Sequence, residues 1–150
     1  MSKVVIGVFH DHEQAEDAVN ELKEQGFEKE ISLIAREGDL GRQDLSEGAF
    51  AGGAVGGIAG LLAGAGALLI PGIGPILAAG PLAATLTGVV TGGIAGSLVD
   101  YGIPENRGAY YEEQVRQGGI LVSLKTEEED VENAASILRD YGAEDVESHG

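Results

Sequence analysis

The chain has 150 residues, with 9 basic and 25 acidic side chains, a net charge of −16 and no cysteine. That length suits one domain or two small ones. Lack of cysteine excludes disulfides, thiolate metal sites and cysteine nucleophiles. The acidic balance disfavours nucleic acid and anionic lipid surfaces as partners.

The charges are segregated. Residues 1–48 carry 5 basic and 12 acidic side chains, and residues 100–150 carry 4 and 13. Between them, Ala49 to Val99 is a run of 51 residues with no charged side chain and no histidine. The chain therefore divides at 1–47, 48–99 and 100–150. The N-terminus has too short an apolar run for a signal peptide and soon turns acidic, so the polar parts are expected in the cytoplasm.

Val4 to Phe9 is a short apolar, β-branched run that predicts a buried strand. Asp11 follows as an N-cap, with Gln14 three positions on in a capping-box arrangement. Ala15, Ala18, Val19 and Leu22 fall on one helical face. Gly26 stands where that helix should stop. Ile31 to Arg36 predicts a second strand, and the polar residues 37–47 a linker.

The charge-free run breaks at Pro71-Gly72-Ile73-Gly74-Pro75 into arms of 22 and 24 residues. At a rise of ~1.5 Å per residue each arm is long enough, as a helix, to cross a hydrocarbon core of about 30 Å. The break suits a turn, with Pro71, Gly72, Gly74 and Pro75 as its residues. Gly48, Gly52, Gly56, Gly60 and Gly64 recur every four residues, and Gly88, Gly92 and Gly96 repeat the device in the second arm. This small-xxx-small spacing lets helix backbones approach closely. A flexible linker is the blander explanation, but linkers are polar and these arms carry Leu, Ile, Val and Phe between the glycines. The expectation is a glycine-zipper helical hairpin.

Beyond it, Pro104 opens a predicted helix through Gln117, closed by Gly118-Gly119. Ile120 to Leu124 predicts a strand and Glu127 to Tyr141 a helix, with acidic residues at its positive end. Val131, Ala134, Ala135 and Leu138 form its apolar face, Gly142 ends it, and Asp145 to Ser148 predicts a last strand.

The two ends repeat. A shift of 116 residues places Val5 on Leu121, the first helical face on the second, and Gly26 on Gly142. Two such βαβ halves predict an α+β domain of the ferredoxin-like βαβ-βαβ kind, with two helices on one face of a four-stranded antiparallel sheet. The hairpin and the helix after it are then one long insertion, with both hairpin ends on the domain's side of any membrane.

Several residue groups invite chemistry, and each has a plainer reading. His10 and His12 are two apart, but His149 is expected beside Ser2, at the far end of the first strand, so a third metal ligand is lacking. Glu127 to Asp130 needs no cation, because a helix start accounts for it. Gly64-Ala65-Gly66 and Gly72-Ile73-Gly74 lack the rest of a phosphate-binding loop, and no serine sits in a nucleophile elbow. Tyr110 and Tyr111 are adjacent and point to different sides of a helix: one suits the sheet, and the other suits a membrane interface at the hairpin base or further core packing.

Gly102-Ile103-Pro104-Glu105, Tyr110-Tyr111-Glu112 and Gly118-Gly119-Ile120-Leu121-Val122, together with the opening Val4 to Phe9 and the glycine-rich hairpin, give the chain its resemblance. It resembles a family of bacterial general stress proteins, including heat-induced and low-temperature-induced members, over nearly its whole length. The resemblance implies a stress-associated protein linked to membranes, with no settled biochemical activity and no catalytic residues to carry over. The glycine stripe is longer and more regular than the family implies.

The residues and the resemblance together predict a non-enzymatic protein without metal or cofactor. Its partner is a second copy of itself or a lipid bilayer, not nucleic acid. The hairpin either inserts in a membrane or is buried in the protein core of a homo-oligomer. A ferredoxin-like module that binds a small ligand is the alternative of a different class.

Overall fold

The computed structural model of the chain describes residues 2–27, 30–36, 66–70, 73–81 and 93–149. They form an α+β structure. Its elements in chain order are β1 (Ser2–Phe9), α1 (His12–Glu24), β2 (Ile31–Arg36), β3 (Gly66–Ile70), β4 (Gly74–Ala79), α2 (Gly93–Tyr101), α3 (Glu105–Arg116), β5 (Ile120–Glu127), α4 (Val131–Asp140) and β6 (Glu144–His149). One sheet of six strands runs in the order β3-β4-β2-β5-β1-β6, and every neighbouring pair is antiparallel.

The sheet is covered on both faces. On one face Val5, Phe9, Leu33, Val122 and Leu124 pack with Ala15, Ala18, Val19 and Leu22 of α1 and Ala134, Ile137 and Leu138 of α4. On the other, Val4, Ile6, Val8, Ile34, Ile76 and Leu121 pack with Ile94 and Leu98 of α2, Ile103, and Tyr111 and Val115 of α3. A strand buried on both sides has no polar face to alternate with, so it reads as a continuous apolar run. That explains Val-Val-Ile-Gly-Val-Phe in β1 and Ile-Leu-Val in β5.

The helical faces and stops agree with the sequence. Ala15, Ala18, Val19 and Leu22 are all buried, and Gly26 and Gly142 take the positive φ angles of helix-ending glycines, 94° and 102°. The N-cap is also as expected, but not its partner. The Asp11 carboxylate accepts from the Glu13 N–H at 2.8 Å. Gln14 instead turns its amide over Gly142, where a Cβ would come within 2.7 Å of it. That contact joins the start of α1 to the end of α4.

Three expectations are corrected. The first concerns the repeat. The 116-residue shift holds for the helices, whose matched residues share one core, but fails for the strands. Val5 lies in the layer under α1 and α4, while Leu121 lies under α2 and α3. The turn from Glu128 to Asp130 stands before α4, where β1 and α1 are joined by only two residues. One residue of difference there reverses every strand side chain.

The second concerns the helical hairpin. Residues 66–70 and 74–79 are strands β3 and β4, paired without a break from Gly66↔Ala78 to Ile70↔Gly74. β4 in turn pairs with β2, from Leu33↔Ala79 to Arg36↔Ile76. The reversal is where the sequence put it, but it joins strands. Gly74 opens β4 with φ 97° and Pro75 stands in it. Sheet pairing to β2 satisfies the backbone of these apolar residues and buries Ile76 and Ala78, which an isolated helical hairpin would have left exposed. Gly48, Gly52, Gly56, Gly60, Gly64, Gly88 and Gly92, with Pro71 and Gly72, lie outside the described residues. Gly96 is in α2.

The third is the position of His149, which faces Val4 rather than Ser2. β6 carries an extra residue, because Ile6↔Glu147 is followed by Val8↔Glu144. Asp145 sits in this bulge with φ 54°, a left-handed conformation uncommon for a residue with a Cβ.

Candidate functional site

The described side chains of most chemical interest gather around α3, where it meets the sheet. Local sequence builds this junction. At the end of α2 the N–H groups of Gly102 and Ile103 return to the carbonyls of Val99 and Leu98, at 3.1 and 2.9 Å. Gly102 has φ 118°, and Leu98 and Ile103 are both buried. This is a Schellman ending with its apolar contact. Pro104 then starts α3, whose first bond runs from the Gly108 N–H to the Pro104 carbonyl at 2.8 Å. Gly-Ile-Pro-Glu is therefore a helix stop followed at once by a helix start.

α3 grips α2 on one side. Gly108 lies so close that a Cβ would stand 3.1 Å from the Ala95 carbonyl oxygen. One helical turn on, the Glu112 carboxylate accepts from the Ala95 N–H at 3.0 Å. A carboxylate at the positive end of a helix, bonded to a free N–H, is a cap supplied from another helix.

On its other side α3 grips β6. The Tyr111 hydroxyl donates to the main-chain oxygen of Asp145 at 2.7 Å, and the Tyr110 hydroxyl donates to the Asp145 carboxylate at 2.5 Å. The two rings meet edge to face, with centroids 5.6 Å apart. The Arg107 guanidinium lies 4.4 Å above the Tyr110 ring and 5.5 Å from that of Tyr111. It also makes a two-pronged bond to Glu147, Nε to Oε1 at 3.0 Å and Nη2 to Oε2. His149 Nε2 meets the same Glu147 carboxylate at 2.8 Å. Burial pushes the Glu147 carboxyl up, but the bonds from Arg107 and His149 outweigh it and hold the group below the usual carboxylate range. Burial pushes the Tyr111 phenol well above its usual range, and the bond to Asp145 raises that of Tyr110.

The two tyrosines do lie on different sides of α3. Tyr111 is fully buried on the sheet. Tyr110 sits at the rim with its hydroxyl used by Asp145. Of the other members, sequence alone points to His149, and only as a metal candidate, though the spacing of the rest holds a signal. Arg107, Tyr110 and Tyr111 stand at i, i+3 and i+4 on a helix, and Glu147 and His149 at i and i+2 on a strand.

A second polar group lies under the end of α2. Tyr101, Ser32 and Ser123 are all buried, and the two serines face one another across β2 and β5. Burial raises the Tyr101 phenol and the nearby serine hydroxyls oppose that rise. Yet the Tyr101 hydroxyl and the Ser123 oxygen form no aligned hydrogen bond. Lys125 places its ammonium 4.7 Å from the centre of the Tyr101 ring.

Neither group resembles a metal centre. Among the described residues no three or more His, Asp or Glu side chains converge to hold an ion. His10 Nε2 is 2.9 Å from a Glu144 oxygen, whereas His12 Nε2 is buried without a hydrogen-bond partner. Comparison with models of protein families, with characterised proteins and with solved structures yields no match.

Proposed function

We propose that this chain is a non-enzymatic, self-associating protein, a ferredoxin-like domain whose charge-free insertion is the associating element. The stress-response role implied by its resemblance to general stress proteins is part of the same proposal. The strand order β6-β1-β5-β2, with α1 and α4 on one face, supports the ferredoxin-like assignment.

The observation that carries self-association is the segregation of charge. Every charge of a net −16 lies outside the 51-residue insertion core. Two copies repel through their acidic bodies and can meet at low electrostatic cost only through the charge-free part. The ionisable groups that do converge, Arg107, Glu147, His149, Tyr110 and Asp145, are engaged with one another. That suits structural service better than acid–base work.

A protein partner is favoured over a bilayer. The described parts of the charge-free run are taken up by the sheet and by the layer on its second face. The test is the mass of the full chain expressed and purified without detergent. A defined multiple of 15.4 kDa is expected. Recovery only from membranes with detergent would replace this reading with insertion.

A further inference from the structure

The two edges of the sheet are built differently. β6, at one edge, has the sequence Glu-Asp-Val-Glu-Ser-His, a bulge, and a left-handed residue at Asp145. Charges and bulges are the devices that keep a strand edge from pairing with another chain. β3, at the other edge, is Gly-Ala-Leu-Leu-Ile, with no charge, no proline and no bulge against β4. Among the described residues it pairs with β4 alone.

We infer that β3 is the contact between copies, pairing antiparallel with β3 of a second copy about a two-fold axis, so that two six-stranded sheets join into one. This rests on the self-association proposed above and names its interface. Three considerations select this occupant. An antiparallel strand edge is complementary to itself, as a two-fold interface requires. It is the edge at which two chains of net charge −16 bring the fewest like charges together. A lipid chain cannot take its place, because the free N–H and C=O groups of an open edge go unsatisfied in hydrocarbon.

The chain has no cysteine of its own, so single-cysteine variants read the interface directly. Cysteine is placed in turn at positions 66 to 70, with Ser148→Cys on exposed β6 as the control. Each full-length variant is checked for native circular dichroism and oxidised, and disulfide-linked dimer is measured. In a two-fold antiparallel pair a residue meets its own copy only near the axis, and a disulfide forms only with Cα atoms within about 7 Å. The expected profile peaks at one position in β3, falls to both sides, and exceeds the Ser148→Cys yield several-fold. A flat profile at the control level overturns the edge assignment. The mass of the unmodified chain, measured alongside, separates the two claims. A multiple of 15.4 kDa with a flat profile leaves self-association standing without this interface, and a monomeric mass removes both.

Discussion

The Tyr111 hydroxyl donates to the main-chain oxygen of Asp145 at 2.7 Å, where Asp145 holds a left-handed backbone inside the β6 bulge. A buried side chain of α3 thus fixes the irregular point of an edge strand. Removing the hydroxyl as Tyr111→Phe leaves a main-chain acceptor without its donor, and should destabilise the fold by about 1–2 kcal/mol in denaturant titrations. Tyr110→Phe, at the solvent-facing rim, should cost under ~0.5 kcal/mol.

The second buried tyrosine of the same layer should behave oppositely. Tyr101 and Ser123 hold hydroxyl oxygens that are buried without an aligned partner. Replacing such a group by an apolar one of similar shape is near neutral or stabilising. Tyr101→Phe and Ser123→Ala should therefore leave the unfolding midpoint unchanged or raise it. A loss on the scale of Tyr111→Phe would show that these hydroxyls are paired in solution.

Backbone strain at Asp145 separates from its side-chain contact. A non-glycine residue in the left-handed region costs ~1 kcal/mol or more, except that Asp and Asn bear it best. Asp145→Ala loses both the Tyr110 contact and this tolerance, and should destabilise by about 1 kcal/mol. Asp145→Gly loses only the contact, and should lie between Asp145→Ala and the native chain in the same titration.

The α2–α3 contact is tight enough to test by size. A valine at position 108 would press on the Ala95 carbonyl, already 3.1 Å from a modest Cβ, and should cost about 1–3 kcal/mol. Glu112→Ala removes the cap on the Ala95 N–H and should cost ~1 kcal/mol. The two residues hold the same helix, so the double variant should cost less than the sum.

Acid should loosen β6 through Glu147. Its carboxyl ionises below the ordinary value in the fold, because the bonds from Arg107 and His149 outweigh desolvation. A depressed pKa adds stability that is present above the unfolded-state value and is lost as pH falls through the folded one. The stability difference between the native chain and Glu147→Gln should therefore shrink as pH falls through and below the usual carboxylate range. A difference that stays constant would mean the Arg107–Glu147–His149 contact does not form.

Much of the core was legible in the sequence because it is local. The faces of α1 and α4, their terminal glycines and the Gly-Ile-Pro restart follow from helix period and backbone stereochemistry alone. What failed was non-local. Leu68, Leu69 and Ile76 fit an apolar helix as well as a strand, and only the open edge of β2 decides between them. Leu121 lies on the opposite face from Val5, because a repeat in sequence ignores one residue gained before α4. The cluster around Glu147 was missed because its members come from two elements about 40 residues apart. The unbroken apolar runs of β1 and β5 are the sequence mark of a second covered face.

Self-association is tested most directly by sedimentation velocity of the full chain, expressed and purified without detergent, over a range of concentrations. A discrete species at a multiple of 15.4 kDa is expected, with its population rising with concentration. A single species at 15.4 kDa throughout, or protein found only in the membrane fraction, would contradict it.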